Sequence, residues 1–277
     1  FTGATSEPAK ALKKEAERRR KLWDDNSRDK TKAGNRLVII GYDGDKRYKN
    51  VTSYIPGEII KEVNGKSMSL LEFFVHSPFK DSLVEGRAEA DKNATSIVMQ
   101  ARFKYTSTAT QPSALYLFGG DADHYIWKEI QEQCTAHDND DKLNFDIFMA
   151  PHHCSWTYFN NVPYMNGETD KPVESSKTMI KDHKTNGAVI IASSKQIKKD
   201  KDNPPHHQSK EEYVKLIGAD KFISLAEEPD SKKPKPVVYE VTSSGFLRKD
   251  KNQQKGSTGA AIGSSSTSGR KSAYGCK

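Results

Sequence analysis

The segment FDIFMAPHHCSW, residues 145–156, joins an apolar run to two adjacent histidines. The run Phe145 to Met149 has the length and composition of a buried strand, and Pro151 follows where that strand would end. His152 and His153 therefore stand at the end of a predicted strand. Because the chain has only eight histidines, two side by side at this position indicate a candidate binding site.

A second predicted strand, Ala114 to Phe118, runs directly into Gly119-Gly120-Asp121. If the two strands are parallel neighbours, Asp121, His152 and His153 gather at one edge of the sheet, where ligand sites of open α/β sheets form. A third strand, 188–192, is followed after a lysine-rich loop by Asn203-Pro204-Pro205-His206-His207.

The rest of the chain alternates between helical and strand periodicity. This alternation predicts an α/β layered architecture. Asn64-Gly65 predicts a two-residue hairpin turn. Ser6 is a predicted N-cap for a first helix that extends through Lys21. Further helices are predicted over residues 122–133, 173–183 and 209–217, and further strands over 36–40, 58–63, 71–75, 96–103 and 237–241.

Composition divides the chain into three parts. Residues 1–34 are predicted to be a basic charged helix and linker, 35–249 a single domain, and 250–277 a disordered Gly/Ser-rich tail. The formal net charge of +7 favours polyanionic partners such as nucleic acid or phosphorylated substrates. An alternative interpretation is that the basic ends only confer solubility.

Three cysteines without CxxC spacing argue against a disulfide scaffold and for a reducing compartment. The sequence contains no apolar run long enough to span a membrane and no signal-peptide pattern. We therefore expect a cytoplasmic location. Because the chain begins with Phe1 rather than Met, we also expect a fragment or a processed product.

A carboxylate and neutral imidazoles are ligands that suit zinc or manganese. Asp121 could instead be a turn residue, and each histidine pair could be a surface dyad. Ser155 is predicted to orient one ring of the first pair by hydrogen bonding. The remaining histidines are predicted to be ordinary surface residues: His76, His124, His137 and His183.

Three segments together resemble the second half of a metallo-β-lactamase-fold hydrolase. They are Asn93-Ala94-Thr95-Ser96-Ile97-Val98, Leu115 to Asp121, and Ala150-Pro151-His152-His153-Cys154-Ser155. The pattern is most similar to the hydrolase domain of ComEC-type DNA-uptake proteins and covers residues 36–248. The resemblance implies an αββα sandwich without its N-terminal portion.

The resemblance also implies a set of metal ligands. Asp121 would bridge two metal ions, Zn²⁺ or alternatively Mn²⁺, and His152 or His153 would be a further ligand. His206 is the nearest match to a later histidine that binds metal or substrate. Asp121 and His153 are thus the implied catalytic residues, with substrate contacts expected from Asn93, Ser155, His207, Lys195 and Lys198.

The chain departs from the family pattern in one major respect. The superfamily motif H-x-H-x-D-H is absent, Asn93 stands where many members have a histidine, and Cys154 replaces a glycine. We expect either a missing front part or a degenerate site. Three hypotheses follow: a metal-dependent phosphodiesterase or nuclease that uses a metal-activated water, a hydrolase of small esters, lactones or amides, and a catalytically inactive binding module.

Overall fold

A computed structural model describes residues 6–25, 29, 32–41, 49–63, 65–81, 92–161 and 171–249. The predicted disordered tail, 250–277, lies outside these residues, as does Asn64 of the predicted turn. The described part is a mixed α/β structure with four α-helices and a seven-stranded mixed sheet.

The helices begin and end close to their predicted limits. Helix α1 covers Glu7–Asp24, and the Ser6 side chain accepts a hydrogen bond from the Ala9 N–H, as predicted for an N-cap. Helix α2 covers His124–Ala136, α3 covers Glu174–His183 and α4 covers His207–Ile217.

The described strands number thirteen. Their bounds are β1 Val38–Ile40, β2 Thr52–Tyr54, β3 Ile59–Ile60, β4 Glu62–Val63, β5 Lys66–Ser67, β6 Leu71–Ser77, β7 Val98–Phe103, β8 Ala114–Phe118, β9 Phe145–Met149, β10 Lys184–Ala192, β11 Phe222–Ser224, β12 Tyr239–Thr242 and β13 Gly245–Arg248. The main sheet has the order β11-β10-β9-β8-β7-β6-β3. Strands β8 to β11 are mutually parallel, whereas β3, β6 and β7 pair antiparallel with their neighbours.

The main hydrophobic core lies between the sheet and the three helices α2, α3 and α4. Trp127 of α2, Ile180 of α3 and Tyr213 of α4 are completely buried there against sheet residues such as Phe148. Each of these helices turns an apolar stripe toward the sheet. The spacing of apolar residues in the sequence therefore predicts which helix face packs against the sheet.

The opposite face of the sheet carries a smaller apolar cluster. Ile147, Ile191 and Ile223 are buried there, and Tyr239 and Phe246 of the β12–β13 hairpin pack against them. Phe246 also meets Phe103 at 5.4 Å between ring centroids. Among the described residues, the β12–β13 hairpin therefore covers this face of the sheet.

Two predicted strands do not join the main sheet. Strand β1 pairs in parallel with β2, and β12 pairs with β13. The described residues on either side of Asn64 pair as a hairpin requires, because Val63 of β4 is the antiparallel partner of Lys66 of β5. Sequence periodicity identifies a strand but not its partner, and that explains the difference.

Helix α1 is joined to the start of the predicted domain by specific contacts. The Trp23 side chain is 5% exposed, and its indole N–H donates to the Asn35 carbonyl at 3.2 Å. Arg19 donates to the Arg36 carbonyl at 2.7 Å. The helix thus packs more closely than its charged composition alone indicates.

Candidate functional site at the carboxyl edge of the sheet

The parallel strands bring the predicted ligands to one edge of the sheet. Phe118 pairs with Met149, and Met149 pairs with Ile191. Asp121 and His152 each stand three residues beyond a paired strand end. The expected parallel arrangement of β8, β9 and β10 is confirmed.

The antiparallel strand β7 brings a fourth segment to this edge, because it starts where β8 ends. The Asp121 N–H donates to the Ser96 hydroxyl at 3.2 Å, and the Ser77 hydroxyl donates to the Ser96 carbonyl at 2.7 Å. Asn93 lies in a short 3₁₀ turn, Lys92–Thr95, just before these contacts, and is half-buried.

Two glycines allow the strand ends to approach this closely. A Cβ on Gly119 would lie 2.6 Å from the Met149 carbonyl oxygen and 2.6 Å from the Pro151 ring. Gly120 has a φ of +53°, and a Cβ there would lie 2.8 Å from the Ile97 carbonyl oxygen. The Gly120 carbonyl accepts from the His152 N–H at 2.8 Å. The Gly-Gly pair is therefore a packing requirement of the edge.

Three consecutive non-glycine residues of the following turn have left-handed backbone conformations. The φ angles are +47° at His152, +55° at His153 and +69° at Cys154. Such conformations cost on the order of 1–3 kcal/mol each and concentrate at functional sites. The surrounding structure holds this turn in place, because the Cys154 N–H donates to the Pro151 carbonyl and the Cys154 carbonyl accepts from the His206 N–H.

His153 is the exposed member of the first pair, and its ring is oriented by the neighbouring strand. Its Nδ1 lies 2.6 Å from the Ser193 carbonyl oxygen. Because a carbonyl only accepts, Nδ1 carries a proton, and in the neutral ring Nε2 keeps its lone pair. A backbone carbonyl at Nδ1 is a common way to orient a metal-binding or proton-accepting imidazole. The orienting group is thus Ser193, and not Ser155 as predicted.

The Ser155 hydroxyl takes part in a different contact. It donates to Asn203 Oδ1 at 2.8 Å, and the same Asn203 oxygen accepts from the Trp156 N–H at 3.0 Å. The Ser209 hydroxyl donates to the Ser155 carbonyl at 3.0 Å. Ser155 is 1% exposed, so it joins the turn to the segment before α4. Asn203, which the sequence did not single out, organises this junction.

A cavity of about 300 Å³ opens beside His153. The lysine-rich loop after β10 forms one side of it. The Lys195 ammonium pairs with the Asp202 carboxylate, whereas Lys198 forms no ion pair within the described residues. The cavity beside His153 is lined by His153, Ser193, Ser194, Lys195, Pro204, Pro205 and Leu225.

The second histidine pair stands at the start of α4, with His206 as the N-cap residue, His207 as the first helical residue and the two ring centroids 5.2 Å apart. His206 is 1% exposed, with its ring centroid 6.0 Å from that of Trp156. Burial lowers the His206 pKa, and the neighbouring His207 lowers it further. His207 lines a different cavity, along α4. Neither imidazole of this pair is among the residues that line the cavity beside His153.

The donor types at this edge fit a zinc-type ion, but their number does not make a complete centre. Asp121 is exposed, His153 has an accepting Nε2, and His152 Nδ1 is a buried nitrogen without a hydrogen-bond partner in the described part of the chain. However, no group of three His, Cys, Asp or Glu among the described residues could hold one metal ion. The site as described therefore does not fit a metal centre by itself.

Two histidines predicted to lie on the surface are buried. His76 is completely buried: its Nε2 donates to the Lys142 carbonyl at 3.0 Å, and its Nδ1 faces the Cys134 thiol at 3.6 Å. His124 is 7% exposed, and burial lowers its pKa. His76 lies on a strand that is covered by α2, and sequence periodicity does not reveal that coverage.

Cys154 is not a nucleophile in this fold. The side chain is completely buried, and burial raises the pKa of its thiol to about 12. In a Cys276→Ser variant at neutral pH we expect iodoacetamide to leave Cys154 unmodified, as measured by peptide mass spectrometry. In guanidinium chloride the same thiol should react readily. Rapid labelling in the native protein would contradict this assignment.

The chain matches no protein-family model, no curated protein and no solved structure. Within the described residues, none of the helices combines the length and the hydropathy needed to cross a bilayer.

Proposed function

We propose that the carboxyl edge of the sheet belongs to a metal-dependent hydrolase of the metallo-β-lactamase superfamily, and that its substrate is a phosphodiester. The observation that carries the proposal is the fixed tautomer of His153, whose Nδ1 is bound to the Ser193 carbonyl while the ring lines the cavity. The strained turn and the nearby Asp121 support the same interpretation.

We also propose that the α/β structure is part of the αββα sandwich of the same superfamily. The helices α2 to α4 and the main sheet correspond to one α and one β layer of an αββα sandwich. The hairpin β12–β13 occupies the face against which a second sheet would pack in that arrangement.

Asp121, His152, His153 and His206 are the proposed metal-binding residues, with zinc or manganese as the ion. If the site were completed, a divalent ion held by these residues would supply Lewis-acid chemistry and a more acidic bound water. Because the described residues supply too few donors for a complete centre, at least one further ligand has to come from elsewhere. Lys195, which lines the cavity, and the exposed Lys198 of the same loop suit a substrate phosphate.

A metal titration followed by an activity measurement tests this proposal. Purified protein is incubated with Zn²⁺ or Mn²⁺, its metal content is measured by mass spectrometry, and hydrolysis of bis(p-nitrophenyl) phosphate is followed. Asp121→Asn and His153→Gln should each lower metal-dependent hydrolysis by about 100-fold or more, since even changes to groups that only orient ligands cost about 10- to 100-fold.

His137→Gln is the matched control, because His137 lies at the C-terminal end of α2, away from the edge. It should keep both metal and hydrolysis. Equal activity of His153→Gln and His137→Gln would contradict the proposal. Preferential cleavage of p-nitrophenyl acetate would indicate a small-ester hydrolase.

A non-catalytic module of the same fold is the second candidate. The observation that favours it is the incomplete set of ligands among the described residues. It predicts a folded protein that binds no ion and hydrolyses neither substrate under the same conditions.

A further inference from the structure

Asn186 and Gly187 lie where strand β10 leaves the ladder that it forms with β9. From Lys184 to Val189 the strand advances five residues while β9 advances two, so three residues of β10 have no counterpart in β9. The pairs between β10 and β11 begin beyond Val189. Asn186 and Gly187 therefore have no registered partner in either neighbouring strand, as is typical of the extra residues in a bulge.

The backbone at this interruption is exposed and uncrowded. Both Asn186 and Gly187 are exposed to solvent. Gly187 has a φ of +83°, in the region that favours glycine, and a Cβ at this position would have no atom within 4 Å other than those of its chain neighbours. The peptide bond between Asn186 and Gly187 therefore lies at an open surface position.

The side chain of Asn186 forms no hydrogen bond to the described part of the chain. Asn144, in contrast, accepts a hydrogen bond from His183 Nδ1 at 3.2 Å, and the residue after it, Phe145, is completely buried in β9. The carboxamide of Asn186 is therefore able to rotate toward the backbone nitrogen of the next residue, Gly187.

We infer that Asn186 is a site of spontaneous deamidation, for which solvent water is the only co-reactant. The reaction begins when the backbone nitrogen of the next residue attacks the side-chain carbon Cγ. Glycine permits the closest approach because it has no Cβ. Exposed, unpaired backbone needs little free energy to reach the reactive geometry. These conditions meet at Asn186-Gly187, and the inference is independent of the proposed function.

The bonds that form and break in this reaction balance without an enzyme or an oxidant. The Gly187 nitrogen loses its proton to a base in the solvent and bonds to Cγ of Asn186, while the side-chain nitrogen leaves as ammonia. The product is a cyclic succinimide. Water then opens either carbonyl of the ring, which gives aspartate or isoaspartate at position 186.

Both products change the charge of the chain but leave its ladders intact. A carboxylate at this exposed position is ionised at neutral pH, so the chain gains a negative charge. Isoaspartate also inserts a carbon atom into the backbone. Because position 186 lies outside both ladders, the pairs from Val189 onward can keep their register. We expect the modified protein to remain folded.

Peptide mapping of the aged, intact chain tests the inference. The protein is incubated in mildly alkaline buffer and digested with trypsin. Mass spectrometry follows the peptide of residues 185–195, whose single asparagine is Asn186. A synthetic peptide of residues 181–195 gives the rate without tertiary structure. We expect Asn186 in the native protein to convert within about tenfold of the peptide rate, because opening of unpaired, exposed backbone costs little free energy. A native rate more than about 100-fold slower would show that β10 protects this bond and would overturn the inference.

Asn203 is the matched control in the same digest. It is exposed, like Asn186, and is the single asparagine of the tryptic peptide 202–210. The residue after it is Pro204, whose nitrogen carries no proton and cannot attack a side-chain amide. Asn203 should therefore stay intact. Equal conversion of Asn186 and Asn203 would show that direct hydrolysis, rather than ring closure, produces the acid, and would contradict the inference.

Asn186→Gln tests the ring closure itself. Glutamine keeps a neutral amide at the exposed position, but its longer side chain closes a ring far less readily. In the aged wild type, protein isoaspartyl methyltransferase should transfer methyl groups to the peptide of residues 185–195. The same peptide from aged Asn186→Gln should accept none. Equal methyl transfer to this peptide in both proteins would rule out Asn186 as the modified residue.

Discussion

Replacing Gly119 with alanine is expected to destabilise the protein by about 3 kcal/mol or more. The added Cβ would lie 2.6 Å from both the Met149 carbonyl oxygen and the Pro151 ring. Neither neighbour is the flexible end of a side chain, so the ends of β8 and β9 would have to separate. Urea unfolding monitored by circular dichroism measures the change in the free energy of unfolding.

Gly34→Ala is the matched control for this substitution. A Cβ on Gly34 would meet only one atom, the end of the flexible Arg18 side chain at 3.8 Å. We expect a change within about 0.5 kcal/mol, as for other surface substitutions. A Gly119→Ala protein that is as stable as Gly34→Ala would show that the strand ends are not packed as described.

The Gly119 prediction also bears on the candidate site. Pro151 immediately precedes the strained turn, and His153 at that turn depends on its hydrogen bond to Ser193. A displacement of Pro151 would therefore move the His153 ring even in molecules that still fold. Geometry errors of about 1 Å can cost about 100-fold in activity.

The second large effect is a loss of stability in acid that originates at His76. Burial is the main cause that lowers the His76 pKa from 6.5 to about 3. Below pH 6.5 the unfolded chain binds a proton at this residue and the folded protein does not. The contribution of His76 to the free energy of unfolding is therefore fully present above pH 6.5. It falls by about 1.4 kcal/mol per pH unit down to about pH 3.

A His76→Gln variant isolates this contribution. Its neutral amide can still donate to the Lys142 carbonyl, which His76 contacts at 3.0 Å, but it does not titrate. We expect the variant to be less stable at pH 7 and to lose less stability than the wild type between pH 6 and pH 4. The measurement is the free energy of unfolding in urea at each pH.

His137→Gln controls for the removal of a histidine as such. His137 is the C-cap residue of α2 and is only partly buried. The free energy of unfolding of His137→Gln should depend on pH in the same way as that of the wild type. If His76→Gln and the wild type show the same slope between pH 6 and pH 4, His76 is protonated in the folded protein and the buried contact is wrong. Burial also lowers the pKa of His183, and this residual contribution is common to all three proteins.

The elements of the fold were largely readable from local patterns. The strands β8 and β9 and the helix α3 coincide closely with their predicted ranges, because each has a clear apolar period and a defined break. The short strands β2, β11 and β13 were missed, since three or four residues carry too little periodicity to identify. The placement of β12 in a separate hairpin was also missed.

The candidate site was likewise predictable from the sequence only in part. The sequence predicted that Asp121 and His152 would reach one edge of the sheet, and the parallel register places both there. It did not indicate that Ser193 would orient His153, because that contact uses a backbone carbonyl, which every residue has. It also did not indicate that His207 lines a second cavity along α4, because the position of that helix depends on tertiary packing.

By itself the sequence determined the order of the helices and of the longer strands, their apolar faces and the residues that follow those strands. These properties depend on neighbours in the chain, so local spacing is enough to establish them. Strand partners, the burial of His76 and the orientation of His153 were decided only by the tertiary structure. Each depends on groups tens of residues away, such as Lys142 for His76 and Ser193 for His153. Burial and hydrogen-bond geometry at these positions arise only when distant segments pack together.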